Sequence, residues 1–351
     1  MPPVVREGLA ARTPNLFDFA KVTRRDSSAP IRVAYWSAQL ASVFESDDAH
    51  RAVDSFVTLE TLVGHPVADE DEVIALGVDR LLEAHVRAHV AELASSAPFF
   101  LTVHLAATHA PYFVDEANAP YRPYSNVVRW SGMDELRNAY MNSLLEQDVR
   151  VAGIVEAFLG AQAGAPWVIV FTSDHGEAFG EHHAIHHGQN LFDEQLRVPL
   201  FVARGGGAFG PGEDAGLEAN RSAPLTHLDL VPTLLDALGV LDDPMLAAPR
   251  RLFYGRSLLR PPPALASEPA AKAIPISNCT SLFPCPVPTW GMLDGSWKLE
   301  AQAWDADFSC FEAVARGGEE RRVEDLDVRC RRMREASRAF FPALPNGRPN
   351  R

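Results

Sequence analysis

The sequence predicts an α/β fold, with a mostly parallel sheet flanked by helices and a smaller C-terminal subdomain after it. Three observations point there. Helical and strand patterns alternate over residues 31–240, as they do when helices cover a sheet. The continuous apolar run Trp167–Phe171 lies between helical stretches, the pattern of a central strand covered on both faces. Beyond residue 240 the composition changes to the proline-rich segments PPPA, PCPVP and PALPNGRP. This places an α/β domain over 1–240 and a smaller subdomain with a tail over 241–351.

The elements follow in order. Ile31–Trp36 reads as a short strand. Over 71–94, Val73, Leu76, Leu81, Leu82, Val86, Val90 and Leu93 recur at roughly helical spacing. Pro98 then precedes a strand pattern running from Phe99 to Leu105. A long helix is expected from Met133 to Leu159, where Leu136, Tyr140, Leu144, Val151, Val155 and Leu159 share a broad face and Gly160 is the stop. Val198–Ala203 is another strand. The segment GGGAFGPGEDAG after it reads as an exposed loop, and it lacks the GK[ST] ending of a phosphate-binding loop. Thr226 with Asp229 resembles a capping box, opening a helix that Gly239 closes. The C-terminal region is expected to hold short strands and one late helix near 325–340.

With 351 residues and 47% hydrophobic side chains, the chain can build a normal core, which excludes extensive disorder. Acidic residues outnumber basic ones, 46 to 32, and no basic run is present, which argues against nucleic-acid binding. It does not argue against an anionic substrate, because a bound metal reverses the local field. No stretch has the length and apolarity of a membrane span. The N-terminal residues lack the apolar core of a signal peptide, so the chain as given reads as soluble. All four cysteines, Cys279, Cys285, Cys310 and Cys330, lie in the last quarter. They allow either two disulfides, suited to an oxidising compartment, or four thiols.

The sharpest chemical signal is Phe171-Thr172-Ser173-Asp174-His175-Gly176-Glu177, directly after the apolar strand, where ligands collect in open α/β sheets. Asp174 and His175 make a reasonable half-site for a divalent metal; the plainer alternative is a capping aspartate beside an ordinary polar histidine. Next comes Gly180-Glu181-His182-His183-Ala184-Ile185-His186-His187-Gly188. Imidazoles there suit metal binding, anion binding or proton transfer, against a solvated histidine-rich loop. Arg197 is a candidate anion-orienting group, or a structural partner of Asp193 or Glu194. In the third cluster, His104–Tyr112, His109 follows a strand end and is the site candidate. His104 fits a buried structural role, and Tyr112 fits either a pocket wall or packing. Together Asp174, His175, His109 and His187 point to metal-assisted hydrolysis or transfer at sulfur or phosphorus.

The ordered set of segments resembles the sulfatase family of the alkaline-phosphatase superfamily. Residues 171–202 resemble its second metal motif, and 104–112 its histidine segment after an upstream strand. Tyr140 and Asp148 fit its mid-chain helix, 225–240 the helix after the catalytic core, and YGRSLL (254–259) and DGSWKLE (294–300) its C-terminal subdomain. The resemblance implies that Asp174 and His175 ligate one divalent metal, calcium first, with magnesium, manganese or zinc as alternatives. His109 would contact the transferred group and help the leaving group depart. His187 would sit near the position that many arylsulfatases fill with lysine and some related phosphotransferases with histidine. The implied activity is hydrolysis of a small-molecule or glycan sulfate ester. Phosphate-ester hydrolysis or transfer, and a non-catalytic relative, are the alternatives.

The chain also departs from the family pattern. TPNLFDFA, residues 13–20, resembles the segment that follows the family's first metal-binding aspartates, and no such strand stands upstream of it here. No Cys-x-Pro-x-Arg nucleophile motif occurs, and Thr23 is the one hydroxyl nominated in its place. The expectation is an N-terminally incomplete domain that associates through an unfinished sheet, with an extracytoplasmic location if a further segment precedes it.

Overall fold

The computed structural model describes residues 15–21, 30–43, 50–67, 77–95, 98–223, 225–262, 273–278, 287–313, 320–323 and 327–350. Thr23, Cys279, Cys285 and the 71–76 part of the expected helix lie outside the described residues. The chain forms two compact units, one of Pro2–Ile169 and Ala203–Pro262, the other of Val170–Val202 and Pro263–Arg351.

In the first unit a parallel sheet has β1 (Arg32–Ser37) between β2 (Ser55–Val57) and β3 (Phe99–His104). Alternation along β1 sends side chains to opposite faces. Ala34 and Trp36 join Leu82, Val86, Val90 and Leu93 of a helix over Val78–Ser95. Ile31 and Val33 instead join Phe19 and Ala20, from a short helix over Leu16–Ala20, and Leu235, from the helix Leu230–Ala237. Helices therefore cover both faces, as the alternating pattern predicts. In chain order these helices are α1 (Leu16–Ala20), α2 (Leu59–Val63), α3 (Val78–Ser95), α4 (Met133–Gln162), α5 (Asp193–Leu196), α6 (Pro211–Asn220), α7 (Leu230–Ala237) and α8 (Val328–Phe340).

Three sequence expectations are corrected. Helix α4 passes through Gly160 and ends at Gln162, with Ala163 in the left-handed region at φ 46°. The glycine-rich segment is not all loop: Pro211 begins α6, and the Gly210 N–H donates to the Glu213 carboxylate at 2.6 Å. Proline at the first helical position and the Glu213 carboxylate on the Gly210 N–H outweigh the glycines there. Strand β4 (Trp167–Thr172) is half-buried along its length instead of covered on both faces. Among the described strands it pairs with β7 (Leu200–Gly205) alone. The capping box at Thr226 and Asp229 is present, and Gly239 follows α7 at φ 72°.

The second unit holds a small hairpin, β5 (Ala178–Phe179) with β6 (Ile185–His186), and an antiparallel sheet ordered β12-β11-β10-β9-β8. Its strands are β8 (Ile274–Ser277), β9 (Thr289–Asp294), β10 (Trp297–Gln302), β11 (Ser309–Ala313) and β12 (Glu320–Val323). One face packs Met292, Leu299 and Cys310 against Cys330 and Met333 of α8. A disulfide joins Cys310 to Cys330, with Cα atoms 5.9 Å apart. No described helix is long and apolar enough to cross a membrane.

Candidate functional site

The site is built on the turn after β4 and on the β5–β6 hairpin. Asp174 Oδ1 accepts the His175 N–H at 3.0 Å, and the Ser173 hydroxyl donates to the His175 carbonyl at 2.8 Å. These bonds fold the chain back as soon as the strand ends. Gly176 is required at the next step. A Cβ there would lie 2.2 Å from the Glu194 carbonyl oxygen, and the Gly176 N–H donates to the Gln195 carbonyl at 2.8 Å. The turn is thereby fastened to α5.

The hairpin register then decides which side chains meet. Ala178 pairs with His186 and Phe179 with Ile185, so Glu177 and His187 stand at the next opposed positions. His187 Nδ1 lies 3.3 Å from Glu177 Oε1, and His186 Nδ1 lies 3.8 Å from the same oxygen. The Glu177 side chain is only 5% exposed, which makes it an enclosed acceptor for those ring protons. The His187 ring stacks on His175 with centroids 3.8 Å apart and planes 28° from parallel. His175 Nδ1 donates to the Gly176 carbonyl at 2.9 Å. Each imidazole is thus held through Nδ1, which orients its Nε2 edge. His182, His183 and His186 have φ of 47°, 57° and 64°. Three non-glycine residues in the left-handed region within one hairpin are costly, and such strain concentrates at functional sites.

The structure therefore brings together three of the four sequence-predicted residues, Asp174, His175 and His187. His109 belongs to the other compact unit. There the buried Asp79 carboxylate accepts the Ala106 and Ala107 N–H groups at 2.7 and 3.1 Å, and the His109 N–H closes onto the Ala106 carbonyl at 2.9 Å. Burial pushes the Asp79 carboxyl up despite these bonds. His104 has the structural role: its Nδ1 lies 3.0 Å from the Tyr35 hydroxyl and 3.3 Å from the Ser37 hydroxyl. Tyr112 is packing, fully buried and edge-on to Tyr140 at 5.3 Å. Arg197 pairs with Asp193 four residues before it, the structural partner the sequence offered.

The sequence reading does not single out Glu177, although it stands inside the sharpest motif. Its signal is the spacing that makes it the hairpin partner of His187. As for a metal, Asp174 and His175 supply two donors, and the Asp174 side chain is 73% exposed. Among the described residues no group of three or more His, Cys, Asp or Glu side chains is arranged to hold an ion. A hard divalent cation takes six or more oxygens, so these donors do not by themselves complete the expected calcium centre.

A sequence profile of the family described as Sulfatase matches residues 32–240. The chain belongs to the sulfatase family. The uncharacterized sulfatase YidJ of Escherichia coli (strain K12) is 31% identical over 97 residues, covering 28% of this chain and 17% of that protein. Phosphatidylethanolamine transferase Mcr-2 of Escherichia coli is 31% identical over 148 residues, covering 40% of this chain and 26% of that protein. The alignments thus span well under two thirds of these relatives. A crystal structure of a putative sulfatase from Bacteroides thetaiotaomicron superposes with a TM-score of 0.54 at 17% identity, covering 93% of this chain and 73% of that one. That likeness shows the shared fold, the mixed α/β architecture of the alkaline-phosphatase and sulfatase superfamily. Membership is consistent with a divalent metal.

Proposed function

We propose that this sulfatase-family chain acts in the hydrolysis of a small-molecule or glycan sulfate ester, with His187 engaging the ester's anionic oxygens. The observation that carries this reading is the stacked histidine pair backed by Glu177. With its Nδ1 proton directed at a shielded carboxylate, a doubly protonated His187 offers its Nε2 proton to an anionic oxygen. In the reaction the S–O(R) bond breaks, a new S–O bond forms from water, and the departing oxygen takes a proton. The sequence resemblance, and not the geometry of the histidine pair, assigns the donation of that proton to His109. Asp174 and His175 are proposed to contribute to a divalent-metal site that further oxygen donors would complete. Calcium is the first ion to test. Imidazole suits manganese or zinc at least as well.

A second reading, phosphate-ester hydrolysis or transfer, is favoured by the similarity to a named phosphatidylethanolamine transferase and by a histidine, His187, where the resemblance expects an anion contact. Hydrolysis of 4-nitrophenyl sulfate and 4-nitrophenyl phosphate separates the two, because the leaving group is shared. The sulfate reading expects faster sulfate turnover that falls by about two orders of magnitude or more in His187→Ala. Faster phosphate turnover selects the second reading. Turnover of neither ester, in folded protein supplied with Ca, Mg, Mn and Zn, supports a non-catalytic relative.

A further inference from the structure

The second face of the C-terminal sheet does not look like a solvated face. Lys298, Glu300 and Gln302 alternate along β10 on the side opposite Leu299 and Ala301, and the register places Ser309 opposite Glu300 and Phe311 opposite Lys298. Lys298 and Glu300 are nevertheless only 3% and 4% exposed. The segment 182–192 lies over this face. The Phe192 ring is edge-on to Phe311 at 5.3 Å, and His182 is stacked on Phe192 at 3.7 Å, with its Nδ1 3.0 Å from the Glu194 carboxylate. Between sheet and segment is a cavity of about 230 Å³, lined among others by His182, Phe192, Glu300, Asp305, Ser309 and Phe311.

Most buried polar groups here are satisfied. Lys298 Nζ donates to Asp193 Oδ1 at 3.2 Å and to Glu320 Oε1. Asp305 accepts the Gln302 N–H at 2.7 Å. Glu300 and Glu320 are the exceptions: the Oε2 of each is buried and has no hydrogen-bond partner among the described residues, and of the two Glu300 lines the cavity. A buried carboxylate oxygen left unpaired costs several kcal/mol in general, and native structures place such groups where something else pairs with them. The charges around the cavity say what that is. Among the described residues its lining carries the carboxyl groups of Glu300 and Asp305 and no lysine or arginine. The balance is negative, and the walls include two aromatic rings, which favour a cation with an apolar body.

We propose that this cavity binds a primary ammonium group carried on a small organic molecule, with the Glu300 carboxylate as its counter-ion and the rings of Phe192 and Phe311 against its apolar part. The inference stands apart from the reaction proposed above, because it uses none of Asp174, His175, His187 or His109. Burial, opposed by Lys298, pushes the Glu300 carboxyl up to about 7. An ammonium ion reverses that penalty and displaces the proton.

The test is calorimetric titration of the full chain with n-butylamine, using n-butanol as the neutral control. Saturable binding of the amine is expected, with affinity about tenfold or more weaker in Glu300→Gln. In the unaltered protein the affinity should rise roughly tenfold from pH 6 to pH 8 as Glu300 ionises, a result that does not depend on any variant folding. Equal binding of n-butanol, unchanged affinity in Glu300→Gln, no pH dependence, or no saturable amine binding would each overturn the proposal.

Discussion

Glu177 and His187 meet because they flank a two-pair hairpin, one residue outside Ala178 and His186, with 3.3 Å between carboxylate and imidazole. The close contact at Gly176 fastens the same turn to α5. Position and chemistry therefore depend on one backbone path.

Gly176→Ala tests that path. Its Cβ would fall 2.2 Å from the Glu194 carbonyl oxygen, a backbone atom that cannot swing aside. The expected cost is about 1–3 kcal/mol, together with weaker anion binding as His175 loses its anchor on the Gly176 carbonyl. Thermal unfolding and sulfate titration check the two effects. Full stability in the variant would show that the approach is looser than described.

Glu300 predicts a pH dependence of stability. Burial raises its folded pKa to about 7 from an ordinary 4.5, so the folded state holds the proton more tightly than the unfolded chain. Stability from this group is present below pH 4.5 and is lost as pH rises to about 7, a change of about 3 kcal/mol. Burial likewise pushes Glu320 up to about 7, and Asp193 is held low by hydrogen bonds from Glu320 and Arg197 that outweigh its burial. Denaturant unfolding of Glu300→Gln should therefore show a larger gain over the unaltered chain at pH 8 than at pH 5. A gain independent of pH would contradict the assignment.

The Cys310–Cys330 disulfide ties β11 to α8 across a sequence separation of 20 residues, and both cysteines are fully buried. Replacing both with alanine should cost about 2–5 kcal/mol. The check is the unfolding midpoint of the double variant against the oxidised chain; a loss well under 1 kcal/mol would mean that the bridge adds little beyond its packing.

Much of this was legible in the sequence. The apolar patterns of 32–37, 78–95, 99–104 and 133–162 are strong because the two strands pack apolar side chains on both faces and each helix buries one stripe. The Asp174-His175 turn was legible because glycine and short polar residues punctuate the chain directly after an apolar strand. The helix Pro211–Asn220 was not, since composition alone weighs its glycines against a helix. The Glu177–His187 pairing depends on hairpin register, which a four-residue sheet does not announce. The buried polar face of β10 was also hidden. Lys298 and Glu300 alternate with apolar residues as on any solvated strand, and only the covering segment 182–192 turns that face into a cavity wall.

The central claim is that His187, held by Glu177 and stacked on His175, engages an anionic oxygen. Titration of inorganic sulfate into the full chain and into His187→Ala, with Glu177→Gln as the conservative companion, tests it without requiring turnover. Saturable binding that weakens about tenfold or more in His187→Ala, and less in Glu177→Gln, is the predicted result. Equal sulfate affinity in all three folded proteins would contradict the account.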